Sequence, residues 1–287
     1  MTKKKYNVAG HLFSVSASDA LLLLMKNYEP FVVECGENEV FSLSVEPGGC
    51  PAYVEETRQD EEGQIIVCGH TSENYPVYEF VLNKVSTGAL VCSPDYKSAS
   101  LLLPPEPFEG SNRFAIDNAL MVLYALATAG LGTALFHAAV VTNGGRGYLF
   151  LGKSGTGKST HARLWLRYNA GSELLNDDNP VVRFLEDGSA KVYGSPWSGK
   201  TPCYKNQESP LGGFVLLKQA PYNKIARLSG VSAYAALLPC ISGKRWDKSI
   251  ADGLHDTENA LASHVPVWFL ECLPDEAAAK LCCETIA

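Results

Sequence analysis

The chain is short of basic residues: 24 lysines and arginines stand against 31 aspartates and glutamates, a formal charge of -7. A general nucleic-acid or anionic-membrane surface is therefore not expected, and any bound anion must be held by a local site. Long apolar runs are missing too. The longest near the start, 20–25, falls far short of the ~18 residues that span a bilayer. The lysines at 3–5 precede no signal-peptide core. The expectation is a soluble cytoplasmic protein with neither membrane nor nucleic acid as partner. None of the nine cysteines stands in a C-x-x-C spacing. Their odd number, scattered singly apart from Cys282 and Cys283, excludes a zinc framework and a disulfide scaffold. Small buried thiols in a reducing compartment are the remaining reading. Internal repeats and low-complexity segments are absent as well.

What is present is enough apolar material for a real core. With 46% hydrophobic and 19% charged residues over 287 positions, disorder is excluded as the main state, and one large or two ordinary domains are expected. Up to Pro107 the chain reads as strand-like runs at 31–35, 40–45, 52–56, 64–68, 77–82, 89–92 and 98–103, with one helical segment at 18–28. The acidic stretch 55–62 ends at Gly63 and reads as a solvated hairpin tip. Pro104, Pro105 and Pro107 interrupt helix and ladder alike, which divides the chain into a β-rich module, 1–108, and a second domain, 109–287.

In that second domain a helix is expected over 113–129, then nearly continuous apolar strands at 134–142 and 148–151. Strands of this kind belong to a sheet covered on both faces, so the fold class is α/β. A helix at 158–168, strands at 173–176, 181–185, 190–194 and 214–218, a helix near 232–238, a strand at 265–272 and a final helix from Asp275 complete the reading.

The strongest motif is Gly152-Lys153-Ser154-Gly155-Thr156-Gly157-Lys158-Ser159, a full G-x-x-x-x-G-K-S lying between an apolar strand and a helix. That context defines a phosphate-binding loop of the Walker A type. Gly155 and Gly157 let the backbone curl until successive N–H groups point at phosphate oxygens, and the following helix adds its positive end. Lys158 neutralises β- and γ-phosphate charge, and Ser159 offers a hydroxyl to Mg²⁺. Thr160 continues the nucleotide-binding face.

Three other features carry chemistry. Asn176-Asp177-Asp178-Asn179-Pro180 places two carboxylates at the exit of a strand, where one can hold Mg²⁺ and the other accept a substrate proton; alone it is equally a polar turn before proline. His137 stands in the middle of the apolar run 134–142, either a satisfied core histidine or a site residue on a strand neighbouring the loop. Tyr193-Gly194-Ser195-Pro196-Trp197-Ser198-Gly199-Lys200 combines a rigid turn, an aromatic surface and a cation. Lys200 there can clamp a transferred phosphate and Trp197 can shape a pocket, or Trp197 is a core plug. Asn206 and Asn223 are weaker polar candidates.

His137 in Leu135-Phe136-His137-Ala138, the loop from Gly152 to Ser159, and Asp177-Asp178 together resemble the HPr kinase/phosphorylase family and its relatives. The resemblance covers about residues 110–220. It implies a P-loop-containing, phosphoenolpyruvate-carboxykinase-like mixed-sheet domain behind a β-rich N-terminal module. It further implies an active site made by the histidine, the loop and the aspartate pair, with Asp178 as proton acceptor. Two departures point away from HPr as acceptor. Members acting on HPr carry an acidic residue where this chain has Thr160, and their Glu-Ile-Arg-Gly signature is missing here. The Tyr193 to Lys200 segment is instead similar to HPr-kinase-related proteins, some of which modify peptide or small-molecule hydroxyls.

The expected activity is thus an ATP- and Mg²⁺-dependent phosphotransferase acting on a hydroxyl of a small molecule, a peptide or a protein serine. The alternative is a nucleotide-binding sensor or ATPase whose β-rich module recognises a partner. A homo-oligomer stays open. A signalling GTPase is disfavoured because no Asn-Lys-x-Asp stretch occurs, and a transporter ATPase because Leu-Ser-Gly-Gly-Gln is missing.

Overall fold

The computed structural model describes residues 1–61, 63–199 and 201–287, and it is an α/β protein with two mixed sheets in which strands predominate. The chain divides into units Met1–Ala127 and Thr128–Ala287.

The first unit opens with a hairpin of β1 (Thr2–Val8) and β2 (His11–Ala17), two strands the sequence reading did not assign. Its two-residue turn has positive φ at Ala9 (52°) and Gly10 (81°), the twist-compatible geometry for a tight hairpin. The helix expected over 18–28 shrinks to α1 (Asp19–Leu22), capped by the Ser18 hydroxyl, followed by a 3-10 segment Lys26–Phe31 that contains Pro30. Proline there removes a helix donor and disfavours the α conformation at Glu29, which keeps the second segment from being α-helical; it does not account for the stop at Leu22. Then come β3 (Val32–Val33), β4 (Phe41–Pro47), β5 (Val54–Glu61), β6 (Gln64–His70), β7 (Pro76–Leu82), β8 (Val85–Cys92), β9 (Ser98–Leu103) and α2 (Ser111–Ala127).

The sheet order is β3-β1-β2-β4-β9-β8-β7-β6-β5, with β2, β4 and β9 parallel. The acidic stretch is not a hairpin tip: most of it is β5, the outermost strand, paired to β6 from Val54 to Glu61. Charged side chains on an exposed edge oppose further strand addition. Alternation is plain on β2, β4 and β9. Phe13, Phe41 and Leu101 are buried on one face, while Ser14, Ser42 and Ser98 stand in register on the other. Phe13 stacks on Phe41 at 4.7 Å, and Tyr124 of α2 adds an edge-on ring at 6.2 Å. Because α2 packs on β4, β7, β8 and β9, the division falls after it, at 127/128, one helix later than the prolines imply.

The second unit contains β10 (Thr133–Leu135), β11 (Ala138–Asn143), β12 (Arg146–Leu151), α3 (Lys158–Tyr168), β13 (Glu173–Asp178), β14 (Val181–Phe184), β15 (Ala190–Tyr193), β16 (Glu208–Gln219), β17 (Lys224–Leu228), α4 (Val231–Leu237), α5 (Lys248–His264), β18 (Val267–Cys272) and α6 (Glu276–Ile286). Its sheet runs β10-β14-β15-β16-β12-β11-β13, with β18 joining β16 and β17 joining β18. The long β16 starts against β15 and continues between β12 and β18. Trp165 of α3 and Ala279 and Cys282 of α6 close a core over Tyr148, Phe150 and Val215. Among the described residues no helix is long and apolar enough to cross a membrane.

Two elements here differ from expectation. Helix α5 was not read from sequence, because two of its five buried positions, Thr257 and Glu258, are polar. Glu258 is held by Arg245 at 2.5 Å and by the Tyr234 hydroxyl at 3.0 Å. The expected strand 134–142 is two strands, broken at Phe136 and His137. Leu135 pairs with Val181 and Ala138 with Asp178, so the break lies opposite Asn179 and Pro180. Pro180 has no N–H for the ladder, so the reciprocal bond is missing and Phe136 N to Pro180 O, at 3.0 Å, is what remains across the break.

Candidate functional site

Three segments meet at one edge of the second sheet. Strands β12 and β13 are both antiparallel to β11 and therefore run the same way, so the loop leaving β12 and the carboxylates ending β13 share an edge. Register fixes the level: Ala139 of β11 faces Phe150 on one side and Asp177 on the other. Two strand spacings separate those backbones, roughly 10 Å. His137 immediately precedes β11 at the same edge.

The loop has the backbone its glycines were expected to permit. Gly152, Gly155 and Gly157 have φ of 146°, 78° and 103°. At Gly152 a side chain is also excluded by space, since a Cβ would sit 2.5 Å from Thr156 Oγ1. The Thr156 hydroxyl donates to the Lys153 carbonyl at 2.5 Å, and the Gln219 amide donates to Gly155 O at 3.2 Å. Lys158, only 9% exposed, directs its ammonium to Gly152 O at 3.0 Å. Lys153, Ser154 and Gly155 are exposed at the rim, and Ser159 and Thr160 are half-buried on the first turn of α3. Thr160 Oγ1 accepts from Arg163 at 3.3 Å.

The carboxylates differ. Asp178 Oδ1 lies 3.8 Å from His137 Nδ1, and both side chains are about one-third exposed (34% and 38%). The strand break therefore makes His137 an accessible partner of Asp178 and not a core histidine. Asp177 is 6% exposed, and its Oδ1 is buried without a hydrogen-bond partner among the described residues. A buried carboxylate oxygen with unused lone pairs fits a hydrated cation, and Ser159 supplies a hydroxyl of the right hardness. Both are oxygen donors of the kind Mg²⁺ takes; among the described residues no group of three or more His, Cys, Asp or Glu side chains could hold a metal by itself, so the phosphates of a nucleotide would have to complete the set.

Sequence reasoning missed Cys240. Its carbonyl accepts the His137 N–H at 2.7 Å. Burial pushes its thiol up, while the Gly152 backbone and Lys158 pull it part of the way back. Cys240 thereby joins the histidine segment to the base of the loop, a tertiary role with no local signature.

The Trp197 segment does not present an aromatic surface. Trp197 is 5% exposed, which supports the core-plug reading. Lys200 lies outside the described residues. Asn223 ties Leu273 N and Asp275 Oδ1 ahead of α6, a structural role. The segment's other residues instead lie against the aspartate strand: Gly199 N donates to Asp177 O at 3.0 Å, and Asp178 bridges Ser198.

Compared with known proteins, the chain matches no family model, and no curated protein sequence matches it.

Proposed function

We propose that this chain is an ATP-dependent kinase related to HPr kinase/phosphorylase, with a phosphoenolpyruvate-carboxykinase-like catalytic domain in its second unit and a cytoplasmic location. The observation that carries the reading is the convergence, at one sheet edge, of a glycine-shaped phosphate loop and an accessible Asp178–His137 pair. A nucleotide sensor needs the loop alone, whereas a base beside the loop serves a reaction; transfer to an acceptor hydroxyl rather than to water is what a transfer screen decides.

In this reading the loop N–H groups and Lys158 bind and orient the nucleotide phosphates. Ser159 and Asp177 hold Mg²⁺, which supplies charge neutralisation on the phosphates. Asp178 takes the proton of the acceptor hydroxyl, and His137 steadies its charge. The acceptor is a hydroxyl of a small molecule, peptide or protein serine. HPr is disfavoured by Thr160.

Transfer from radiolabelled ATP across amino acids, sugars, polyols and peptides tests the reading. With any acceptor so found, Asp178→Asn is expected to cut turnover by a factor on the order of 10² or more and leave ATP affinity nearly unchanged. Wild-type transfer by Asp178→Asn with Asp177→Asn inactive would move the base to Asp177. Unchanged transfer in both variants would remove the carboxylate mechanism.

A further inference from the structure

The acidic pair sits under a strap of chain, residues 194–199, whose attachment is unusually specified for a loop. Asn176, fully buried one residue before the pair, uses all its hydrogen-bonding groups on this junction. Its amide donates to Ser195 Oγ at 3.1 Å and to Trp197 O at 3.2 Å, and its Oδ1 accepts from the Asp178 N–H at 3.0 Å. Ser195, also fully buried, donates to Asn179 O at 2.6 Å and accepts from Trp197 N at 3.2 Å. Asn179 N then donates to Trp197 O at 3.3 Å, and Gly199 N to Asp177 O at 3.0 Å. The backbone of every residue from Asp177 to Asn179 is thus tied to the strap or to Asn176.

Gly199 adds a steric constraint. A Cβ there would meet Asp177 O at 2.8 Å, Asp178 Cβ at 3.3 Å and Asp178 Cγ at 3.5 Å. The close approach is to the Asp177 carbonyl, which a side chain at 199 would displace, and that side chain would also press on Asp178 Cβ and reach contact with its carboxylate carbon. Packing alone would not need this arrangement. Trp197 already plugs the core beneath, and a buried polar network is costly unless every member is satisfied, as the members are here.

We propose that Asn176, Ser195 and Gly199 are positioning residues that hold the Asp178 carboxylate in one orientation toward the acceptor side of the site. This rests on the reading of Asp178 as the proton acceptor. It goes further in making the strap, and not the loop, the element that sets turnover. Nucleotide binding belongs to the loop on β12; the hydrogen bonds that tie the strap run to β13 and the Asn179 turn that follows it.

The test is steady-state phosphoryl transfer by full-length wild type, Gly199→Ala and Ser195→Ala, with an acceptor found by the screen, beside calorimetric Mg-ATP affinity and far-UV circular dichroism. Gly199→Ala is expected to lower kcat about ten- to hundredfold with acceptor KM and ATP Kd within twofold, because a displaced reacting group costs rate and not ground-state binding. Ser195→Ala, which removes the clasp without a clash, is expected to act in the same direction to a smaller degree, and it decides the matter if Gly199→Ala does not fold. Wild-type kcat in a folded Gly199→Ala, or an equal loss of ATP affinity and kcat, would overturn the positioning role while leaving the kinase reading intact. Absence of transfer by the wild type to any acceptor would remove both.

Discussion

Acid is expected to loosen the helix that carries Lys158 and Ser159, and the sensor is His161. This residue is 3% exposed, its ring meets Phe150 edge-on at 4.8 Å, and its Nε2 accepts the Trp165 indole N–H at 3.2 Å. Burial lowers its pKa from 6.5 to about 4. A histidine whose pKa falls on folding holds protons more tightly in the unfolded chain, so its contribution is complete above about 6.5 and is lost as pH descends toward 4. The gap of about 2.5 units corresponds to about 3 kcal/mol in full, of which roughly 2 kcal/mol is gone by pH 5. Against a total stability of ~5–15 kcal/mol that loss is large. The assay is urea unfolding at pH 7.5, 6 and 5, comparing wild type with His161→Gln, which keeps an acceptor for Trp165 but does not titrate. Carboxylates common to both proteins cancel in the difference. The wild type should lose about 2 kcal/mol more than the variant between pH 7.5 and 5, and its ATP affinity should weaken over the same interval. Parallel pH dependences in the two proteins would refute the assignment.

Lys158→Ala should weaken Mg-ATP binding about ten- to hundredfold by calorimetry, the worth of a charge-assisted hydrogen bond, without loss of fold; unchanged affinity would undo the phosphate-loop assignment. His137→Ala should lower transfer turnover more than ATP affinity, since its imidazole lies 3.8 Å from Asp178; unchanged turnover would make it a bystander. Arg245→Ala should destabilise the second unit by about 3 kcal/mol in urea, because it strands the fully buried Glu258 charge; a loss under 1 kcal/mol would show that Tyr234 alone satisfies that carboxylate.

How much was legible follows from how local each cause is. The loop was, since positive φ at Gly155 and Gly157 and a lysine ahead of a helix are written in adjacent residues. The β1–β2 hairpin was not, because its turn uses Ala9 at positive φ where sequence rules look for asparagine or two glycines. Asn176 and Ser195 lie 19 residues apart, and nothing in either neighbourhood announces that one amide will satisfy the other's hydroxyl.

His137 shows the boundary between the two kinds of information most clearly. Read along the chain, it sits in a run of apolar residues and belongs in a core. Part of what exposes it lies 43 positions later: Pro180, between β13 and β14, accepts from Phe136 N at 3.0 Å but has no N–H to return, and at 136–137 the facing chain pairs with Ile241 and Cys240 instead. The same interruption ends β13 at Asp178 and frees the His137 N–H for Cys240. A residue without an N–H, together with the bonds that Asn179 and His137 make to Trp197 and Cys240, thus sets where the strand stops and which imidazole faces its last carboxylate. Replacing Pro180 with alanine would offer the missing donor to Phe136 O, and turnover measured beside ATP affinity tests whether that bond is enough to join β10 and β11, with unchanged turnover refuting it. By this argument it would draw His137 inward and cost turnover while leaving the phosphate loop untouched.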